Sequence, residues 1–580
     1  MIRLDSITWL RKRYADGRFQ PQDVIETARK RALGAHEAVW IHVLDESLLS
    51  TYIDRLENLD FDTSPLWGVP FAIKDNIDLA DVPTTAGCPD YAYVPERSAF
   101  VVSRLIDAGA IPIGKTNLDQ FATGLTGTRS PYGAVPNAID PTYIAGGSSS
   151  GSAVAVKNGS VSFALGTDTA GSGRIPAAFN DLIGFKPTRG WWSTKGVVPA
   201  CRSLDCVSVF TNNVADASVI ARVAGSFDRE DPFARRIEQA SFGRSRPQIG
   251  YLNPNRLPWR EHSEYANLYR DFIEDLPDPS VSIDPEPFLG AGALLYEGPW
   301  IVERVVAVGD FLMNHRDAIH PISRAVIESA PKLSAVECFQ AQYQLAGLRR
   351  QIELIYEEID VLVMPTAPKH YTLAEVENDP FVTNSYLGTF SHCVNLLDLC
   401  AVAIPASATA SGLPFGVTLV SKAGFDISLL QVAASICDDE PIESFASLGG
   451  EMRLAVCGAH MTGQPLNHEL ERRGGRRIQR TRTSSKYRLY QLPDGIRPAL
   501  VRSESEGAAI ELEVWTLPEE ELGVFIRSIE RPLAIGSVEL EDGDWVKGFV
   551  GDFSATDGAV EITAFGGWRE FRRTSKPLIS

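Results

Sequence analysis

Three short segments place an amine or a hydroxyl in a loop beside a strand-like run: AIKDN with Lys74, GGSSSGS with Ser148, and GTDTAGSGRIP with Ser172. A serine hydroxyl is a weak nucleophile until a base takes its proton, and a lysine serves as that base only when its own charge is suppressed. Taken singly, none of the segments demands this chemistry, because a lysine after a strand is usually a solvated charge and a glycine-serine stretch is usually a turn. Residues 146–156, GGSSSGSAVAV, read equally as a flexible linker, a phosphate-cradling loop or a piece of catalytic machinery.

A phosphate-binding reading has one formal match. GAIPIGKT, from Gly109 to Thr116, has the glycine, four residues, then Gly-Lys-Thr of a Walker loop. Such a loop must link a strand to a following helix, whereas here SRLIDA before it is helical and IPIG is itself strand-like. The segment is therefore expected to be a strand.

The elements that must position these groups alternate between residues 65 and 210. WGVPFAIKDNI predicts a strand ending in a polar loop, SAFVVSRLIDAGA a helix, AIPIGKTN a strand, SAVAVKNG a buried helix, and VSFALGTDTAG a strand running into a glycine-rich turn. This is an α/β pattern, in which sites collect at the C-terminal ends of strands. From about 260 to 360 the periodicity is helical, clearest in YEGPWIVERVVAVGDFL and ECFQAQYQLAGLRRQIELIYEEI. Strand signals return with DVLVMPTAP, CAVAIPA and PFGVTLVS, so a first domain is expected over residues 1–440. The polar stretch 441–451 reads as a linker. LAVCGAHM then opens a smaller, mainly β or α+β domain over residues 452–580.

At 580 residues, more than one domain is the natural expectation. A formal net charge of −19 argues against non-specific nucleic-acid binding, although a local basic pocket can still hold a small anion. The eight cysteines are scattered without a CxxC pair, so neither a disulfide framework nor a zinc cluster is suggested, and free thiols in a reducing cytoplasm are expected. No cofactor is called for. The N-terminal MIRLDSITWLRKRYADG carries charges every few residues, unlike a signal peptide, and no run of about 18 apolar residues suggests a membrane span.

Together the three segments resemble the amidase signature family, over about residues 1 to 440. The glycine-serine loop is followed by GTDTAGSGRIPAAF from Gly166 to Phe179, and 172 − 148 = 24 matches the family's spacing. GVPFAIKDN, GKTNLDQFATG and VLVMPTAP extend the likeness. The resemblance implies an α/β/α sandwich with a central mixed sheet and a serine-serine-lysine site. Ser172 is then the nucleophile, Ser148 the bridging serine after a cis Gly147–Ser148 peptide, and Lys74 the ultimate base, since no histidine occurs in these segments. Bringing a lysine from about 10.4 to about 7.5 takes a shift near 3 units, about 4 kcal/mol, with burial beside VPFAI as the source. The N–H groups of Thr169, Ala170, Gly171 and Ser172 are expected to line an oxyanion hole. Asp168 and Arg174 are expected to brace the loop, and Ser149 to give a supporting hydrogen bond. Gly173 departs from the aliphatic residue of many members and is expected to open space.

Within that family, YEGPWIVERV and YLGTFSHCVNLLDLCAVAIPA resemble the allophanate hydrolases. That likeness implies that Arg304 anchors a small ureido carboxylate and Tyr296 orients it. With 304 − 296 = 8, the pair is expected on similar sides of one helix, about two turns apart. LAVCGAHMTGQPLNHEL resembles the opening of the domain those enzymes append, similar in fold to γ-glutamylcyclotransferases, whose implied role is decarboxylation of the amidase product N-carboxycarbamate. His460 and the run Arg472, Arg473, Arg476 and Arg477 are the candidates for holding that dianion. The resemblance further suggests a homodimer, linked functionally to a separate urea carboxylase or to cyanuric acid breakdown. The competing enzymes are an amidase of another small amide and the amidase component of a tRNA amidotransferase.

Overall fold

The computed structural model describes residues 2–242, 246–276, 280–330, 333–440, 442, 451–503, 506–518, 523 and 525–574. The chain divides into two compact units, residues 1–442 and 443–580. Most of the stretch read as a linker lies outside the described residues.

The first unit is built on an eleven-stranded mixed sheet. Its strands are β1 (Trp40–Val43), β2 (Pro70–Lys74), β3 (Ile111–Thr116), β4 (Phe163–Asp168), β5 (Ile183–Lys186), β6 (Cys206–Thr211), β7 (Ile249–Leu252), β8 (Val281–Ile283), β9 (Val361–Pro365), β10 (Leu399–Ala408) and β11 (Pro414–Lys422). Their order across the sheet is β1-β3-β2-β4-β6-β5-β10-β11-β9-β7-β8. β2 runs parallel to both β3 and β4, while β6 runs antiparallel to β4. Every residue of β2, β3 and β4 is buried, which is why these strands read as continuous apolar runs rather than alternating ones.

GKT is the end of β3 and not a loop. Lys115 is fully buried and pairs with Asp75 at 3.0 Å, and a Cβ on Gly114 would meet His42 O at 2.2 Å, which leaves no room for a phosphate. The helix expected after GGSS runs from Ser150 to Lys157 and is buried along its apolar length. It lies close to neighbouring backbone, since a Cβ on Gly151 would meet Val39 O at 2.4 Å.

One expectation needs correction. Tyr296 and Arg304 do not share a helix: one helix spans Glu286–Glu297, a 3-10 turn Pro299–Val302, and a second helix Glu303–Asn314. Gly298 is extended (φ −102°, ψ −169°) because the following proline disfavours a helical conformation there and supplies no N–H of its own. The eight-residue spacing therefore spans a corner.

The second unit holds a five-stranded sheet and a three-stranded sheet. In the first, β12 (Glu451–Val456) lies between β13 (Glu511–Pro518), antiparallel, and β14 (Trp545–Gly551), parallel. Leu454, Val456, Leu512, Val514, Val538 and Trp568 fill its core. Among the described residues, no helix is long and apolar enough to cross a membrane.

Candidate active site

Lys74 ends β2, and the β2/β4 register pairs Ile73 with Leu165, so Lys74 comes level with the end of β4. Its Nζ donates to Ser148 Oγ at 2.7 Å and to Thr167 Oγ1 at 2.6 Å. The amine has no exposed surface, and burial lowers it to about 7 against the opposing pull of Asp119, Asp205 and Asp168. A lysine so placed carries a neutral fraction near neutrality and can take a proton from a hydroxyl.

Ser148 follows a cis peptide, Gly147–Ser148, as the family likeness implied. Close packing fixes the turn around it: a Cβ on Gly147 would meet Asp119 Oδ2 at 2.3 Å and Gly127 N at 2.5 Å. Asp119 ties this neighbourhood together by accepting from the N–H groups of Gly127 and Arg129, while its own N–H donates to Ser148 O. Ser149 supplies the supporting contact expected of it, donating to Thr167 O at 3.1 Å.

The Ser172 loop is braced from below by a buried ion pair. Arg174 donates to both oxygens of Asp168, at 2.8 and 2.9 Å, and neither side chain has exposed surface. The same carboxylate accepts from Gly171 N at 2.8 Å and Gly173 N at 3.1 Å. Burial acts to raise the Asp168 carboxyl, but Arg174, Lys186 and the Gly171 N–H hold it below the usual range. This takes Gly171 out of the expected oxyanion hole, because its N–H already has an anionic acceptor. The N–H groups of Thr169, Ala170 and Ser172 have no acceptor among the described residues. Ser172 itself is 4% exposed.

Gly173 does not open space. A Cβ there would meet Ser208 Oγ at 2.4 Å and Asp168 Cβ at 3.1 Å, so the room an aliphatic side chain would need is taken by Ser208, opposite Gly166 on β6. Gly171 is similarly confined: its φ is +121°, and a Cβ would meet Ser391 Oγ at 2.3 Å. Ser391 donates to Ala170 O at 2.6 Å, which sets the loop from the opposite side.

Arg304 opens the helix after the Pro299 turn and is 4% exposed. Its turn is fastened to the 200–205 loop, where Ser203 N donates to Glu303 at 2.9 Å and Cys201 Sγ to Trp300 O at 3.6 Å. No ion pair to Arg304 forms among the described residues, and its buried Nε has no partner. Asp205 lies within its field. Burial pushes that carboxyl up to about 6, opposed by Thr169, by the Ala200 and Cys201 N–H groups and by Arg304. Because Thr169 Oγ1 donates to Asp205, one carboxylate connects the surroundings of Arg304 with the Ser172 loop. Tyr296 belongs to the last turn of the preceding helix, and its side chain lies outside the described residues.

Thr167, Asp119 and Asp205 were not singled out from the sequence. Thr167 and Asp119 sit inside quoted segments and follow from register, whereas Asp205 carries no local signal.

In the second unit, His460 Nε2 lies 3.2 Å from Glu469 Oε2, and the ring stacks on Phe549 with centroids 5.0 Å apart. A small cavity beside it is lined by Val456, Gly458, His460, Leu466, Arg497 and Phe549, among others. None of Arg472, Arg473, Arg476 and Arg477 lines it; Arg472 and Arg473 line another cavity, with His468, Glu469 and Ser528. Arg477 is committed elsewhere, donating to Glu513 at 3.2 Å and Thr462 at 3.0 Å. Among the described residues, no group of three or more His, Cys, Asp or Glu side chains is arranged to hold a metal ion.

The model of the amidase family matches residues 23–430, and that of the allophanate hydrolase C-terminal domain matches residues 452–573. The chain is 41% identical over 567 residues to the urea amidolyase of Saccharomyces cerevisiae, covering 92% of this chain and 31% of that protein. It thus spans about a third of the length of that relative. A solved structure of Kluyveromyces lactis allophanate hydrolase superimposes with a TM-score of 0.75 at 38% identity, covering 98% of this chain and 99% of that one. A glutamyl-tRNA(Gln) amidotransferase chain of Lactobacillus acidophilus is 32% identical over 427 residues, covering 68% of this chain and 87% of that one.

Proposed function

The chain belongs to the amidase family and carries an allophanate hydrolase C-terminal domain, and from that premise we propose that it hydrolyses allophanate, the carboxylate of urea. The observation that carries this choice of amide is Arg304: a buried guanidinium with no ion pair among the described residues is costly unless an anion completes it. A planar guanidinium suits a carboxylate, to which it can make two parallel hydrogen bonds.

In this reading Lys74, uncharged, draws a proton from Ser148, which in turn draws one from Ser172. The Ser172 oxygen adds to the terminal carbonyl of allophanate, and the N–H groups of Thr169, Ala170 and Ser172 receive the oxyanion. Collapse expels the amide nitrogen, which takes the relayed proton and leaves as ammonia. Water then releases N-carboxycarbamate from Ser172 by the same relay. Tyr296 is assigned to orienting the ureido group. Residues 1–440 carry this step, 441–451 connect, and 452–580 remove carbon dioxide from the product, with His460 in that site. A urea-carboxylating enzyme is the class of reaction that supplies the substrate. We also assign the protein to the cytoplasm and to a homodimer.

Trapping tests the scheme. Allophanate turnover quenched at short times should leave an acyl adduct on the Ser172 peptide, absent from Ser172→Ala; ammonia release by Ser172→Ala at the wild-type rate would refute it.

A further inference from the structure

His460 is held more firmly than a strand-terminal histidine needs to be. Leu466 N donates to Ala459 O at 2.9 Å and Asn467 Nδ2 to His460 O at 3.0 Å, which closes the loop between β12 and the short helix Asn467–Glu471. Phe549 lies flat on the ring at 14°, and Phe525 meets it edge-on at 83°. Glu469 on that helix fixes Nε2, leaving Nδ1 without a partner among the described residues. Apart from His460, Arg497 is the one cationic side chain of the cavity's otherwise apolar lining. It donates to Asp494 at 2.7 Å and to Glu530 at 3.3 Å, so three of its five N–H donors remain.

We propose that Glu469 is a positioning residue that holds His460 as the proton donor for loss of carbon dioxide from N-carboxycarbamate, the departing carboxylate entering this cavity of about 30 Å³ and the rest of the ligand lying at its mouth, with Arg497 facing the ligand's charge. This rests on the function proposed above. In the step, the bond from nitrogen to one carboxylate carbon breaks and its electron pair stays on nitrogen. That nitrogen takes the proton from imidazolium His460, giving carbon dioxide and carbamate. Neutral His460 is then reprotonated from solvent. An apolar cavity favours this direction because a carboxylate loses hydration there and uncharged carbon dioxide does not.

The charged groups around the ring act in opposite senses. Burial pulls His460 below its ordinary value and His468 adds to this, while Glu469 pulls it up. Arg473 lies over Phe525 at 6.0 Å, and Arg497 stands across the cavity with Asp494 and Glu530. Removing the Glu469 charge should leave His460 deprotonated at lower pH.

The test follows 13C-labelled allophanate by NMR across the mildly alkaline range, where free N-carboxycarbamate persists longest, with ammonia release assayed in parallel. Glu469→Gln should accumulate the dianion, clearing it about tenfold more slowly, and its loss of clearance with rising pH should move down by about one pH unit or more. Glu469→Asp should recover much of the rate; in both variants the first equivalent of ammonia, expelled in the Ser172 step, should appear at an unchanged rate, while the second, from breakdown of the carbamate, lags with the dianion. Slow amide hydrogen exchange at the buried strand residues Leu454, Val514 and Val538 reports folding of this unit. Wild-type clearance with an unmoved pH limb in folded Glu469→Gln would overturn the positioning role. If His460→Ala also clears the dianion at the wild-type rate, the decarboxylase reading falls with it; if only His460→Ala accumulates it, the role of Glu469 alone is refuted.

Discussion

Lys74 Nζ lies 2.7 Å from Ser148 Oγ and 2.6 Å from Thr167 Oγ1, with none of its surface in water, so the proton it exchanges in the closed site passes through a hydroxyl. Burial brings its pKa down to about 7, so its charge changes near neutrality. The kcat/KM for ammonia release should therefore fall on the acid side with an apparent pKa near 7. Lys74→Ala should lose about 10³-fold or more at neutral pH, as expected of a missing general base. A pH–rate profile of both proteins checks this.

The same lysine makes a stability prediction of definite sign. The unfolded chain takes up this proton near 10.4 and the folded chain only near 7, so over that window the unfolded state binds more protons and stability rises with pH. Lys74→Met should be more stable than the wild type at neutral pH, by up to about 4 kcal/mol. The gain should shrink as pH approaches about 10. Urea midpoints at the two pH values measure it.

Arg304→Gln should reduce kcat/KM for allophanate by about 30- to 1000-fold, the range for losing a buried charge pair. Malonamide, which has no carboxylate, should change about threefold or less, within the effect of a neutral contact. Steady-state kinetics on the two substrates separates loss of an anion anchor from general damage to the site.

Gly173 and Ser208 form a steric pair. Gly173→Val should destabilise the first unit by about 1–3 kcal/mol through overpacking and lower ammonia release with it. Ser208→Gly in the same chain removes the opposing side chain and should recover most of both losses. Thermal melts and activity of the single and double variants read the coupling directly.

How much of this was legible in the sequence depended on distance along the chain. Lys74, Ser148 and Ser172 sit in segments that match the amidase family's pattern, and β2, β3 and β4 read as strands because both faces are covered. Asp205 and Ser208 were not legible. They reach the Ser172 loop through the antiparallel β4/β6 register, which places Gly166 beside Ser208, and no local signal announces a pairing 40 residues away. The family likeness placed the Gly171 N–H in the oxyanion hole, whereas the Asp168 carboxylate three residues earlier accepts it. Apolar periodicity from 294 to 312 outweighed a Gly298–Pro299 pair that does end the helix. The arginine run after residue 471 was named through the family likeness, and its members part: strand pairing turns Arg477 toward Glu513, while Arg472 and Arg473 line a cavity with Glu469.

Substrate choice is the central claim, and ammonia release from a panel of allophanate, malonamide and glutamine under identical conditions tests it most directly. Allophanate should exceed both others in kcat/KM by at least about 10²-fold, the worth of a buried charge-assisted contact. Comparable turnover of malonamide or glutamine with none of allophanate would contradict it.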